Sequence, residues 1–340
     1  MTEQTSVKLF ELGNFPLLSG FTLPNAQLSY KTHGRLNAAK DNAILFPHFL
    51  GGGPAMLEGW IGEGRPLDPN KYFIILPGQF GNSVSSSPSN TQAPFDRGAF
   101  PAVRIADDVI AQQRLVTEYF GIHELQLILG WSTGALQIYE WAVRFPQMVK
   151  RMASIAGAPK PSPWTQLWLR TMIEEPLTSD PAWNRGFYTD ARAVQAGLRR
   201  VGHGTALTLP PTWFYSEKAE LWRRLGFASR DDFISLFWEA YWLPQDPNDL
   251  ITQARKAQAA DPSHGGDISE ALGRITAKTY IAAFSGDPMF PPEECKYDAE
   301  RIPRAQFRAI DSIFGHLATF ALCDEDRQAI DAVIAEALAA

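Results

Sequence analysis

The sequence contains few of the residues that build disulfide frameworks or metal sites. Its 340 residues include two cysteines, Cys295 and Cys323, which lack the close spacing of metal-ligating pairs. A disulfide-dense secreted scaffold is therefore excluded. We interpret the thiols as incidental residues of a reducing compartment, although a single bridge between them remains an alternative. No metal site and no cofactor are predicted.

Basic runs and long apolar runs are also absent. The formal net charge is −6 and no segment is rich in Lys and Arg, so no nucleic-acid partner is expected. No apolar run approaches the length of a membrane span, and the segment MTEQTSVKLFELGNF lacks the charged and apolar regions of a secretion signal. We therefore expect a cytoplasmic protein with no membrane partner.

Strand-like and helical patterns alternate along most of the chain. Residues 8–36 indicate short antiparallel strands, because turn residues separate the strand patterns at Gly20, Pro24-Asn25 and Gly34. Further strands are predicted at residues 43–46, 72–76, 125–129, 152–155, 279–284 and 306–310. Amphipathic helical patterns follow or precede them, as at residues 104–120. These patterns predict an α/β fold with a mostly parallel sheet and helices on both faces.

The alternation stops between residues 161 and 275. This stretch contains helical patterns and no strand pattern, and it holds seven of the ten tryptophans: Trp164, Trp168, Trp183, Trp213, Trp222, Trp238 and Trp242. We interpret it as a helical lid, called here the helical insertion, between the two parts of a core domain at residues 1–160 and 276–340. The tryptophans are expected to line an apolar pocket, although helix packing accounts for most of them and periodicity does not show which face the cleft.

The chain is organised around residues 125–146, LQLILGWSTGALQIYEWAVRFP. An apolar strand pattern meets Gly130-Trp131-Ser132-Thr133-Gly134, and a helical pattern follows. In this G-x-S-x-G turn the serine lies at a strained corner with its hydroxyl exposed, and the glycines allow close backbone approach. The alternative is a serine that merely fills a tight turn, but the strand and helix on either side favour a nucleophile at Ser132.

A glycine-rich loop, PHFLGGG, follows the strand predicted at residues 43–46. Such a loop can supply an amide N–H to a reaction oxyanion, as can the residue after the nucleophile. We therefore assign one donor to the Phe49-Leu50 region and the other to Thr133. His48 in the same loop could be read as a base, but a structural role is the favoured interpretation.

Two later residues complete a nucleophilic triad. Asp287 and His316 each follow a predicted strand, and the carboxyl ends of parallel strands lie at one edge of a sheet. Their chain order after Ser132 is the Ser, Asp, His order of α/β-hydrolase triads. Asp311 is a rival acid, but it lies too close in sequence to His316 to approach the ring from its far side.

Over nearly its whole length the sequence resembles the homoserine O-acetyltransferase branch of the α/β-hydrolase superfamily. The segments that carry this resemblance are YKTHGRLNAAKDNAILFPHFLGG, GWIGEGRPLDPNKYFII, GNSVSSSP, FPAVRIADDVIAQQRLVTEYFGI, GWSTGALQIYEWAVRFP, DPAWNRGFY, GLRRVGH, GDPMFPP and GHLATF. The resemblance implies the α/β-hydrolase fold, the same three triad residues and an oxyanion role for the Leu50 amide. It further implies that Arg199 receives a substrate carboxylate and that the protein forms a homodimer through its lid helices.

Two departures from this family concern the substrate. Homoserine acyltransferases carry an aspartate directly after the catalytic histidine, which contacts the substrate amine, and this chain has Leu317 there. An unpaired ammonium group in a partly dry pocket costs on the order of several kcal/mol, so homoserine is not the expected acceptor. Trp131 places a bulky ring beside the nucleophile where the family has a small residue. We expect Trp131, Phe49 and Arg199 to contact the substrate.

These observations lead to one main functional hypothesis and two alternatives. The main hypothesis is a serine hydrolase that cleaves a small ester or amide through an acyl-enzyme intermediate. The first alternative is an O-acyltransferase that moves an acyl group from acyl-CoA to a hydroxyl acceptor; it differs in the second half-reaction, where it must exclude water. The second alternative is a non-catalytic binding protein on a hydrolase scaffold, and the complete Ser, Asp and His set argues against it.

Overall fold

The computed structural model describes residues 6–339 and contains an eight-stranded sheet. Residues 1–5 and 340, the outer ends of the predicted core domain, lie outside the described residues, as does the start of the segment MTEQTSVKLFELGNF. The strands, in chain order, are β1 (Lys8–Pro16), β2 (Thr22–His33), β3 (Ala43–Leu45), β4 (Phe73–Pro77), β5 (Leu127–Trp131), β6 (Arg151–Ile155), β7 (Lys278–Phe284) and β8 (Ala305–Ile310).

The sheet is mostly parallel. Its strand order is β1-β2-β4-β3-β5-β6-β7-β8, and β2 pairs antiparallel with both β1 and β4. The remaining pairings are parallel, and they place Ile128 of β5 opposite Met152 of β6. The antiparallel start predicted for residues 8–36 is therefore confirmed. So is the mostly parallel sheet, whose strand ends bring distant residues to one edge.

Helices precede, follow and interrupt the strands. The α-helices of the described residues are α1 (Pro54–Glu58), α2 (Ile105–Arg114), α3 (Thr133–Arg144), α4 (Pro163–Trp168), α5 (Glu175–Thr178), α6 (Gln195–Thr208), α7 (Leu221–Arg224), α8 (Arg230–Phe233), α9 (Ala240–Trp242), α10 (Pro247–Gln258), α11 (Ile268–Gly273), α12 (Pro292–Ala299) and α13 (Asp324–Ala339). Short π-helical segments extend α2 (Leu115–Tyr119), join α4 to α5 (Leu169–Glu174) and join α8 to α9 (Ile234–Glu239). Within residues 6–339, every helix is too short or too polar to cross a bilayer.

Two apolar layers enclose the sheet, one on each face. Val109 of α2 and Leu136 of α3 pack with Ile128 of β5 in the first layer. Leu57 of α1 and Ile330 of α13 belong to the second, on the opposite face. Because both faces are covered, the central strands β3, β4 and β5 are buried along their whole length. The predicted α/β class, with helices on both faces, is confirmed.

All helices from α4 to α11 lie between β6 and β7 in the chain. In the described residues 161–275 we find no strand, as the sequence pattern predicts for the helical insertion. The insertion contacts the core through fully buried groups, including the ammonium of Lys256 on α10 and the carboxylate of Asp108 on α2. The division into core and lid at these boundaries stays a prediction.

Candidate active site

A sharp corner between β5 and α3 carries Ser132. Its backbone has φ 53° and ψ −132°, a strained conformation for a residue with a Cβ. A Cβ on Gly130 would lie 2.8 Å from the carbonyl oxygen of Gly134, and a Cβ on Gly134 would lie 2.9 Å from that of Pro47. Both glycines of the G-x-S-x-G pattern are therefore required by close backbone approach, and the corner presents the Ser132 hydroxyl at the end of the sheet.

His316 lies on a short turn, Gly315–Phe320, that follows β8. Its Nε2 is 3.1 Å from Oγ of Ser132, within hydrogen-bond distance. The His316 side chain is 5% exposed, so bulk water competes little for this contact. Gly315 has φ +55°, and a Cβ there would lie 2.8 Å from the carbonyl oxygen of Gly286, so the turn that carries the histidine requires glycine.

Asp287 follows β7 and faces the far side of the imidazole. Its Oδ2 is 2.8 Å from Nδ1 of His316, while its Oδ1 accepts the N–H groups of Met289 and Phe290 at 2.8 and 3.1 Å. The two amides fix the orientation of the carboxylate. Because Nδ1 faces an acceptor, the proton is assigned to Nδ1, which leaves Nε2 free to accept the proton of Ser132.

The two rival residues of the sequence lie elsewhere. His48 is fully buried, and burial lowers its pKa to about 4, because the surroundings disfavour the imidazolium cation. Its Nε2 accepts a hydrogen bond from Nδ2 of Asn82 at 3.1 Å. These contacts agree with the structural interpretation of His48. Asp311 is exposed, and its carboxylate is not the one hydrogen-bonded to His316.

The two predicted oxyanion residues meet beside Ser132. Thr133 is the first residue of α3, where amide groups and the positive end of the helix dipole favour negative charge. Leu50 lies in the loop after β3, and its N–H donates to Oγ1 of Thr133 at 2.6 Å. The structure therefore brings both residues together, and the amide of Leu50 is occupied by the threonine hydroxyl.

Side chains of the helical insertion hold the loop around Leu50. The hydroxyl of Tyr241 donates to the carbonyl of Leu50 at 3.0 Å, and burial raises the pKa of Tyr241, which keeps the phenol protonated. The side-chain oxygen of Gln253 accepts a hydrogen bond from the N–H of Gly51 at 3.0 Å, and the amide group of Gln245 donates to the carbonyl of Gly51 at 3.1 Å. The position of the Leu50 peptide therefore depends on the insertion, a dependence that no local motif predicts.

Ser132 and His316 open onto a cavity of about 50 Å³. Its wall includes Phe49 and Leu50, and the rest is mainly apolar and aromatic: Leu136, Trp168, Leu169, Leu209, Trp238, Tyr241, Trp242, Met289, Phe290 and Phe320. A single water molecule needs about 10–15 Å³ of such cavity volume, so the cavity has room for only a few non-hydrogen atoms. Phe49 therefore lies where a substrate contact is expected, and four aromatic residues of the insertion join it.

Trp131 does not reach this cavity. Its ring is 1% exposed and packs against Phe46 and Trp60, with ring centroids 4.5 and 5.2 Å apart, in the apolar layer on the other face of the sheet. Alternate residues of a strand point to opposite faces, so Trp131 follows Leu129 into that layer. This placement differs from the expected substrate contact, although Trp131 is adjacent to the nucleophile in sequence.

Arg199 also lies outside the cavity wall. Its side chain is half exposed, and Nη1 is 2.6 Å from Oε2 of Glu239. The other carboxylate oxygen of Glu239 is 2.8 Å from Nε2 of His203. The guanidinium already has a carboxylate partner on the insertion, and its role in binding a substrate carboxylate stays a prediction.

The two cysteines are free thiols. Burial raises the pKa of both thiols, that of Cys323 to about 11. Neither cysteine is therefore an activated thiolate. Within residues 6–339, no group of three or more His, Cys, Asp or Glu side chains is arranged to hold a metal ion.

Comparisons with known proteins agree with this fold. The family described as alpha/beta hydrolase fold matches residues 42–319. An ethyl acetate hydrolase of Pseudomonas veronii is 44% identical over 97% of this chain and 95% of its own. The solved structure of an acetylester hydrolase from Corynebacterium glutamicum superposes with a TM-score of 0.96 at 39% identity, covering 99% of this chain and 97% of the other.

The resemblance stated from the sequence is confirmed by a further relative. A homoserine O-acetyltransferase of Trichormus variabilis is 31% identical over 89% of this chain and 86% of its own. The identity to this transferase is lower than that to either of the two hydrolases.

Proposed function

The chain belongs to the alpha/beta hydrolase family, and from that premise we propose that Ser132, His316 and Asp287 form the catalytic triad with which it acts as a serine hydrolase of small esters. The observation that carries this assignment is the 3.1 Å contact between Oγ of Ser132 and Nε2 of His316 at the wall of a small apolar cavity. Relatives named as ethyl acetate hydrolase and acetylester hydrolase support ester hydrolysis over acyl transfer.

In the first half-reaction, Oγ of Ser132 attacks the ester carbonyl carbon while Nε2 of His316 takes the hydroxyl proton. The C–O bond to the alcohol breaks, and His316 returns the proton to the departing alkoxide. In the second half-reaction, a water loses a proton to Nε2 of His316 and attacks the acyl carbon. The bond from that carbon to Oγ of Ser132 then breaks, His316 returns the proton to Oγ, and a carboxylic acid leaves. Asp287 holds the imidazole and stabilises the imidazolium in both steps.

The direct test is capture of the acyl-enzyme. Rapid acid quenching of a reaction with p-nitrophenyl acetate, followed by peptide mass analysis, should find an acetyl group on the peptide that contains Ser132. An adduct confined to another peptide would contradict the assignment of the nucleophile. The same peptide from an unreacted sample is the control.

The cavity volume supports acetyl and similarly small acyl groups as the natural substrates. We expect kcat/KM to fall by roughly 5- to 150-fold from acetate to hexanoate esters of p-nitrophenol, because overfilling a packed site costs about 1–3 kcal/mol. Leu209→Ala, which removes side-chain volume from the cavity wall, should raise relative activity on hexanoate. Leu207→Ala is the matched control, since Leu207 is 71% exposed in the last turn of α6, two residues before Leu209. Equal activity on all chain lengths would contradict the proposal.

The same cavity argues against homoserine as an acceptor. None of the described residues that line it is acidic or a permanent cation, so neither charged group of an amino acid has a partner there. Leu317, at the position of the family's aspartate, is fully buried. Incubation with acetyl-CoA and homoserine should therefore give only trace O-acetylhomoserine by mass spectrometry, with a genuine homoserine O-acetyltransferase as positive control. Rapid product formation would restore the acyltransferase hypothesis.

The helical insertion supports a lid role, because Trp168, Trp238, Tyr241 and Trp242 reach the cavity from it. We propose that residues 161–275 cover the sheet edge and exclude water from the acyl-enzyme until the alcohol has left. The homodimer implied by the family and the cytoplasmic location stay predictions.

A further inference from the structure

The contact between Leu50 and Thr133 changes how the oxyanion site works. An amide N–H serves an oxyanion by pointing at it, but the Leu50 N–H points at Oγ1 of Thr133 at 2.6 Å. One donor cannot make a strong linear hydrogen bond to two acceptors that lie in different directions. Either the threonine side chain leaves when substrate binds, or the hydroxyl itself contacts the oxyanion.

The loop offers little freedom to redirect the Leu50 amide. The carbonyl of Leu50 is held by Tyr241, and both backbone groups of Gly51 are held by Gln253 and Gln245. Rotation of this backbone would break hydrogen bonds that are partly buried, which is unfavourable because the freed groups would lack partners. The Leu50 N–H is therefore directed at the threonine hydroxyl by the surrounding structure.

The Thr133 hydroxyl still has a proton to donate. Among residues 6–339, its oxygen accepts from Leu50, and we find no acceptor for its own proton. Thr133 lines the cavity beside Ser132 and begins α3. A hydroxyl that accepts a hydrogen bond becomes a better donor, because the two bonds polarise each other.

We propose that the Thr133 hydroxyl is a catalytic hydrogen-bond donor to the oxyanion. The Leu50 N–H does not contact the oxyanion, and instead polarises this hydroxyl by donating to its oxygen. The Thr133 N–H, at the start of α3, supplies the second donor. This inference rests on the proposed function of Ser132 and assigns to a side chain the contact that the family resemblance implies for the Leu50 amide. The donor bonds form with the tetrahedral intermediate and break when it collapses, with no net proton transfer.

Thr133→Val is the decisive variant, because it keeps the β-branched shape and removes the hydroxyl. Removing one oxyanion donor lowers kcat by roughly 10²–10³-fold, and we expect that loss with little change in KM. Thr133→Ser should retain kcat within a few-fold. The affinity for a trifluoromethyl ketone, which forms an oxyanion on Ser132, should fall in parallel with kcat for Thr133→Val.

Wild-type or higher kcat for Thr133→Val would overturn the proposal, since it would mean that the hydroxyl only blocks the Leu50 amide. A loss confined to KM would overturn it as well. Thr171→Val is the matched control, because its hydroxyl donates to the carbonyl of Leu167, four residues earlier, in a solvent-exposed hydrogen bond. Should the valine variant melt below the assay temperature, Thr133→Ala takes its place with the same readouts. Retained turnover in Ser132→Ala would instead contradict the proposed function, so the two failures are distinguishable.

Discussion

Replacing Ser132 with alanine is expected to lower kcat for acetate-ester hydrolysis by up to about 10⁶-fold. The substitution removes the oxygen that forms the acyl bond and leaves His316 with no hydroxyl to deprotonate. The oxyanion donors remain, so a slow direct attack by water sets the residual rate. Release of p-nitrophenol from p-nitrophenyl acetate measures the loss, with a correction for uncatalysed hydrolysis.

The fold should survive this change. Alanine keeps the Cβ, so the strain at φ 53° is the same in both proteins, and the backbone bond from the N–H at 132 to the carbonyl of Ala156 is unaffected. Ser263→Ala is the control for the chemical change, because that hydroxyl belongs to a surface turn with Asp261 and Gly266. An unchanged melting temperature together with unchanged turnover for Ser132→Ala would remove this residue from the mechanism.

The site geometry was readable from the sequence because it depends on strand ends. Ser132, Asp287 and His316 each follow a strand of the parallel part of the sheet, and the predicted strands agree with β5, β7 and β8 within two residues at each end. Because β5, β7 and β8 run parallel in one sheet, their carboxyl ends lie along the same edge, with only β6 between β5 and β7. The glycines then fix the corners locally, as at Gly130 and Gly134.

The direction of the Trp131 side chain follows from the pleat of its strand. Strand β5 alternates between the two apolar layers, with Ile128 on one face and Leu129 on the other, so Trp131 must share the face of Leu129. Adjacency to the nucleophile in the chain suggested a substrate contact, whereas the pleat of the strand sends the two side chains in different directions.

The sequence does not predict which residues of the helical insertion line the cavity. Two π-helical segments, Leu169–Glu174 and Ile234–Glu239, join consecutive helices of the insertion, and each has more residues per turn than an α-helix. A hydrophobic pattern read at 3.6 residues per turn loses its phase across such a segment, so it does not show that Trp238, Tyr241 and Trp242 share the cavity.

The hydrogen bonds that fix the loop around Leu50 are also not predictable from the sequence, for a different reason. Tyr241 and Gln253 reach Leu50 and Gly51 across 191 and 202 positions of the chain. Contacts at such separation have no local sequence signature, because the folded sheet and not the neighbouring residues brings the two segments together. The same holds for the buried ion pair that joins α10 to α2.

Lys256→Met is expected to lower the free energy of unfolding by about 3–5 kcal/mol. The Lys256 ammonium and the Asp108 carboxylate are 2.7 Å apart, with side-chain exposures of 1% and 0%. The ammonium also donates to the carbonyl of Phe80, and Asp108 accepts the Phe80 N–H, each at 2.7 Å. Methionine fills similar volume but leaves a buried carboxylate without its counter-charge. Urea denaturation followed by fluorescence measures the loss.

The loss of unfolding free energy caused by Lys256→Met should be smaller at low pH than at high pH. Burial already raises the pKa of Asp108 to about 6 despite the neighbouring ammonium, and removing that ammonium raises it further. A carboxyl whose pKa is higher in the folded than in the unfolded protein binds more protons when folded, so its contribution to stability is lost as pH rises from about 4 through the folded pKa. Lys256→Met should therefore be less destabilising at about pH 5 than at about pH 8.

Two further variants decide whether the buried charge is responsible. Lys160→Met breaks an ion pair with Asp261 in which the lysine is 45% exposed, and it should cost no more than about 1 kcal/mol. Adding Asp108→Asn to Lys256→Met should recover part of the stability, since the amide oxygen can still accept the Phe80 N–H while the uncompensated charge is gone. Equal losses of unfolding free energy for Lys256→Met and Lys160→Met would contradict this prediction. They would mean that the buried ion pair stabilises the fold no more than the exposed one. Because the buried pair connects the helical insertion to the core, the insertion would then be held mainly by its apolar contacts and by its other hydrogen bonds, such as the one from Tyr241 to Leu50.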